Sequence, residues 1–198
     1  MSPKSPKPAK TEFPMADYHF YQMGLAYYAA GRFASSAALM PVNGNLLHHA
    51  VEMILKGFLT QTLSLEQMAK NPYRHHLPSI WREFKRFHPS ENLDGFDGLV
   101  DRIHEFDSIR YPDNVLKLGA VISTGFVSGN LVSGPTPAQP VYQLSVTELD
   151  ELMRTLFRLC GINPEAYFGH RTMAVEAVER DNVSCQGWFR QREQARGQ

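Results

Sequence analysis

The sequence predicts an all-α fold: an antiparallel bundle of four to five helices with an irregular or β-hairpin insertion before the last core helix. Apolar residues recur at helical spacing in successive segments. Short Gly- and Pro-containing turns separate those segments. One stretch, about 115–143, breaks the pattern and is rich in Gly, Ser, Pro and β-branched residues.

The first helix is expected over 16–40. Phe20, Met23, Tyr27, Ala30, Ala34 and Ala37 fall on one stripe at about 100° per residue. Its alanines favour helix and let a neighbour approach closely. Pro41 should end it, because proline removes an amide donor and disfavours helical geometry at Met40. "PVNGN" then reads as a tight turn into an antiparallel partner. In that partner, "GNLLHHAVEMILKGFL", Leu47, Ala50, Val51, Ile54 and Phe58 fill one broad face. Asn45, His48, His49, Glu52 and Lys56 share the remaining sector, roughly 100° wide. Glu52 and Lys56 stand i,i+4 in the favourable order, worth about 0.3 kcal/mol.

Pro78 suits the first turn of a third, short helix. It carries Ile80, Trp81, Phe84 and Phe87 on one side and Arg82, Lys85 and Arg86 on the other. A fourth helix is expected from about 92 to 109, with Leu93, Phe96, Val100, Ile103 and Phe106 inward and Pro112 closing it. The last core helix begins at "SVTELDEL": Ser145 and Glu148 fit a capping box, and Gly161 fits a C-terminal stop. Leu149, Leu152, Met153, Leu156 and Leu159 form its apolar face, and a further helix is expected over 166–180. The division is therefore a disordered basic, Pro-rich tail at 1–14, a helical domain at 15–162 and a helical or flexible C-terminal extension at 163–198.

Composition narrows the function classes. The chain has 198 residues, with 20 Lys and Arg against 20 Asp and Glu, so no global field points to DNA or an anionic membrane. Cys160 and Cys185 form no Cys-x-x-Cys pair, which argues for a reducing, cytoplasmic setting. No apolar run approaches the roughly 20 residues of a membrane span, and no membrane partner is expected. The N-terminus lacks the apolar core of a secretory signal.

Three segments carry a family resemblance: the Ala-rich first helix ending in "ALMPVNGN", then "LLHHAVEMILKGFL", then "HHLPSIW" followed by "FDSIRYPDN". In order and spacing the chain resembles the HEPN superfamily of small helical-bundle proteins. Many members are metal-independent ribonucleases with an Arg-x(4–6)-His motif near the start of the last core helix, paired across a dimer. There an arginine holds the scissile phosphate and a histidine moves the 2′-hydroxyl proton. Other members are non-catalytic partners of nucleotidyltransferases or bind nucleotides.

The chain departs from the catalytic motif. Arg110 is the natural arginine, yet no histidine follows it at the required distance. Arg82 to His88 matches formally but lies on the wrong element and reads as coincidence. The resemblance thus implies a non-catalytic binding or interaction module that takes a nucleotide or RNA. It would act as a homodimer or with a protein partner, such as a nucleotidyltransferase or a toxin–antitoxin component. The alternative is a ribonuclease pairing Arg110 with a displaced histidine, His48 or His104. Neither reading calls for a cofactor. A third role is a small structural protein whose insertion docks on a partner.

The candidate ligand-binding residues are His48, His49, Glu52, Lys56, Arg110, Tyr111 and Asp113. The polar line on the second helix reads equally as a solvated face or as the rim of the family's cleft. Arg110 reads as a helix-end arginine with Tyr111 packed in the core, or as a phosphate ligand. Trp81 with Arg82, Lys85 and Arg86 reads as a solvated amphipathic face. His48 and His49 with His75 and His76 offer metal-ligand chemistry, but adjacent residues on a helix point about 100° apart, so no metal is expected. One of His75 and His76 is expected to cap or anchor the third helix.

Overall fold

A computed structural model of the chain describes residues 15–119, 121–126, 140–168 and 172–185. The expected tail at 1–14 lies outside them. The described residues are mostly helical, with one small two-stranded sheet. Among them no helix is long and apolar enough to cross a membrane.

Helix α1 (Ala16–Ser36) and helix α2 (Val42–Leu59) pack along their lengths. Gly57 sits against Tyr21, Gly24 against Ile54 and Gly31 against Leu47, so the pair runs antiparallel. These small positions decide which side of α1 faces inward. The buried side is Tyr21, Leu25, Tyr28, Ala29 and Arg32, not the expected stripe. Of that stripe Ala34 is buried, whereas Met23 is 50% exposed and Ala30 and Ala37 face solvent. The helix is apolar around most of its circumference, and the glycine notches settle the choice. It also stops at Ser36, short of Met40, and α2 starts at Val42, so the expected "NGN" turn is helical.

A one-turn helix α3 (Leu65–Met68) carries a full capping box from Ser64 and Gln67. Helix α4 (Leu77–Phe87) buries Leu77, Ile80, Trp81 and Phe84, and His76 caps it by accepting from the Ser79 amide. The expected continuous helix over 92–109 is instead three pieces. A 3₁₀ turn (Asp94–Phe96) leads into α5 (Asp97–Glu105), and a second 3₁₀ turn (Phe106–Ile109) follows. Pro112 does not close that segment; it opens helix α6 (Pro112–Leu118), the first-turn role that also suits Pro78.

Strand β1 (Val121–Gly125) pairs with β2 (Val141–Ser145) in parallel, with Val121 opposite Val141 and Gly125 opposite Ser145. A hairpin would be antiparallel, so β1 and β2 do not form the expected one. The span from 126 to 140 is long enough for a parallel connection, and residues 127–139 lie outside the described set. Ser145 ends β2 and caps helix α7 (Val146–Cys160), accepting from the Glu148 amide, while Gly161 closes α7 at φ 65°.

Where a helix over 166–180 is expected, the described residues form helix α8 (Pro164–Phe168) and helix α9 (Thr172–Glu179), and 169–171 lie outside the described set. They are no loose appendage: Phe168, Val175, Val178 and Cys185 join the same core as α1 and α7. A buried polar knot holds them there. Arg32 is fully buried, pairs with Asp150 and donates to the carbonyls of Ala177 and Arg180. The Tyr28 hydroxyl donates to Asp150 and accepts from Asn182.

Candidate functional site

The polar line of α2 is neither a wet face nor an open rim, because most of it is buried. Glu52 is 0% exposed, and His48 and Lys56 are buried beside it. The expected solvated helix face is thereby corrected. Its cover comes from segments distant in sequence. Lys56 Nζ donates to Glu52 Oε1 at 2.6 Å and to the Arg74 carbonyl at 2.5 Å. His48 Nδ1 lies 3.2 Å from the Ile103 carbonyl. His75 Nδ1 stands 3.2 Å from Glu52 Oε1, and His49 Nδ1 stands 3.2 Å from Oε2.

These contacts fix the charge on Glu52. Burial alone would raise its carboxyl, but the hydrogen bonds from His49 and Lys56 outweigh that and hold it well below the usual carboxylate range. It is therefore a buried anion matched by a buried ammonium.

Arg110 closes the constellation. Its Nη2 lies 3.3 Å from His49 Nε2, and its Nη1 lies 3.9 Å from Asp107. Arginine can only donate, so His49 Nε2 accepts and His49 Nδ1 carries the proton toward Glu52. The tautomer follows from the partners on both sides. Tyr27 covers the His49 ring at 5.4 Å. The Arg110 side chain is 42% exposed, so its other donors reach solvent.

The histidine beside Arg110 is thus His49, not His48 or His104. His48 faces inward to Ile103. His104 stacks against His48 and His76, with ring centroids 5.8 and 4.8 Å away. Burial, then the nearby His48 and His76, push the His104 pKa down. Tyr111 and Asp113 do not join the group. Tyr111 is 64% exposed, not packed in the core, and Asp113 pairs with Lys117 at 3.4 Å. His88 packs on Phe58 and Phe84, while Arg82 is exposed, so the formal Arg82–His88 motif forms no site.

A cavity of about 550 Å³ opens beside the cluster, lined by His104, Glu105, Asp107, Ser108, Tyr142 and their neighbours. It shares His104 with the histidine cluster and Asp107 with Arg110. Its size is within the range of small-ligand sites.

His48 and His49 point to different partners, as expected of neighbours on a helix, yet both rings reach Glu52. One nitrogen of each ring and one oxygen of Glu52 all lie within 4.8 Å of one another. The two cysteines offer no nucleophile, since burial pushes both thiols up to about 12.

His75 and Tyr27 escaped sequence reading as site residues. His75 had a signal, being adjacent to the expected cap, but nothing local reveals that it reaches Glu52. Comparison with family models, curated proteins and solved structures gives no significant match. The HEPN resemblance therefore rests on the residues alone.

Proposed function

We propose that the protein is a HEPN-like helical-bundle module that binds the phosphate of a nucleotide or RNA at the Arg110–His49 pair, which Asp107 connects to the neighbouring cavity. The observation that carries this reading is the 3.3 Å contact between a half-exposed arginine and a histidine oriented from behind by Glu52. An arginine fork suits phosphate, and its charge-assisted hydrogen bonds are among the stronger ones. The cavity beside Asp107 has room for a nucleoside. The test is anisotropy of labelled nucleotides and short RNA. Arg110→Ala should weaken binding by about 1.5–3 kcal/mol, the worth of a charged hydrogen bond. A wild type that binds neither probe would sink the reading.

Metal-independent RNA cleavage is the second reading, and the orientation of His49 favours it. With Nδ1–H held by Glu52, the Nε2 lone pair is a general base beside Arg110. It would take the 2′-hydroxyl proton while O2′ attacks phosphorus. The bond to the 5′-oxygen would break, and the imidazolium would protonate that oxygen. Cleavage in EDTA by wild type and not by Arg110→Ala would establish this reading; no cleavage by either leaves the binding module.

The module works as a homodimer or on a protein partner, such as a nucleotidyltransferase or a toxin–antitoxin component. The exposed stripe of α1 supports this, because among the described residues Met23, Ala26, Ala30, Phe33 and Ala37 form a helical face that no other segment covers. A reducing cytoplasm suits the free thiols of Cys160 and Cys185.

A further inference from the structure

We propose that His48, His49 and Glu52 bind a divalent transition-metal ion of the zinc class. A backbone carbonyl can only accept, so the contact with Ile103 places the proton of the neutral His48 ring on Nδ1. The lone pair is then on Nε2. That atom is buried and has no hydrogen-bond partner among the described residues, and it faces Glu52 Oε2 at 3.7 Å. Two buried acceptors confront each other, and a cation between them resolves the conflict.

Ligand type and spacing fit. Imidazole nitrogen and carboxylate oxygen are zinc ligands at about 2.0–2.2 Å, so two ligands on a tetrahedral ion stand about 3.3 Å apart. The observed separations from Glu52 Oε2 are 3.7 Å to His48 Nε2 and 3.2 Å to His49 Nδ1. The outer contacts also fit. A metal-bound histidine normally donates its other N–H to a carbonyl or carboxylate, as His48 does to Ile103. A ligating carboxylate is itself hydrogen-bonded, as Glu52 is through Oε1 to Lys56, which leaves Oε2 for the ion. Three protein ligands leave a fourth position for water or an anion.

Binding would reset Arg110. His49 must present Nδ1 as a lone pair, so its proton moves to Nε2 and the ring stays neutral. Arg110 then loses its His49 acceptor, keeps only Asp107 at 3.9 Å and, being half-exposed, turns outward as an anion ligand.

The experiment is titration of the untagged full chain with Co²⁺, read by visible absorption, and with Zn²⁺, read by calorimetry. One equivalent per chain is expected, with the d–d bands of a four-coordinate cobalt site. His49→Ala, at a partly exposed position, keeps the fold, and Glu52→Gln is checked by circular dichroism. Each should weaken binding about tenfold or more. Folded wild type that takes up neither ion overturns the proposal. Uptake unchanged in His49→Ala overturns it equally, because the ion then sits elsewhere.

Discussion

Glu52 concentrates the electrostatics of the molecule in one side chain. Its ionised form is stabilised by folding, so the sign of its pH dependence follows. The carboxyl is held below its unfolded value, and that stabilisation is fully present above the unfolded pKa of about 4.3. It is lost as pH falls from there toward the lower native value. Urea midpoints against pH should fall below about 4.3 in wild type and fall less steeply in Glu52→Gln. Glu52→Ala is harsher: it strands the Lys56 ammonium in the interior and should cost about 3–5 kcal/mol. His104 acts in a milder window. Burial lowers its pKa, so stability present above about 6.5 declines as pH falls through its native value. Proton titration of the His104 ring by NMR checks the direction. The sequence shows Glu52 and Lys56 as a favourable pair, but not that the pair is buried. Its cover comes from the Arg74 carbonyl and from His75, and no local pattern announces either.

The elements of the fold were legible in proportion to how local their causes are. The start and stop of α7 are written in Ser145 and Gly161, and both act within a turn of the helix. The cap of α4 by His76 is equally local. The inward face of α1 is not local, because apolar residues surround the helix and Gly24 and Gly31 choose the face only by meeting Ile54 and Leu47. The same logic makes Gly44 a sensitive point. A methyl there would stand 1.9 Å from Phe106 Cδ1, and the buried ring has little room to retreat. Gly44→Ala should therefore destabilise by about 1–3 kcal/mol despite its better helix propensity, as a lowered urea midpoint with an unchanged slope. On the outer face of α1, Met23→Glu and Phe33→Glu should leave the melting temperature nearly unchanged. If the stripe is the dimer face, both should lower the mass read by light scattering.

Over the whole molecule, one buried guanidinium links three segments. Arg32 on α1 reaches Asp150 on α7 and the carbonyls of Ala177 and Arg180 at the end of α9. Arg32→Ala leaves the Asp150 carboxylate without its ion-pair partner and should cost about 3–5 kcal/mol. Hydrogen exchange should rise first in α9, where Val175 and Val178 lose their clamp. The sequence suggested an extension from 163 onward, because the partners of Arg32 lie more than a hundred residues away and no periodicity connects them. The helical class was legible and the parallel strand pair was not, since pairing direction depends on a connection rather than on strand composition.

That clasp also orders events in time. Helix α1 carries a cation whose native acceptors are made later, first Asp150 and then the carbonyls of Ala177 and Arg180. Asp150 offers Arg32 one partner, but until Ala177 and Arg180 emerge its remaining donors stay hydrated and hold that side of α1 out of a dry core. The nascent chain therefore waits: α1 can pair with α2 early, but it is sealed only when the segment at 177–180 closes back over it.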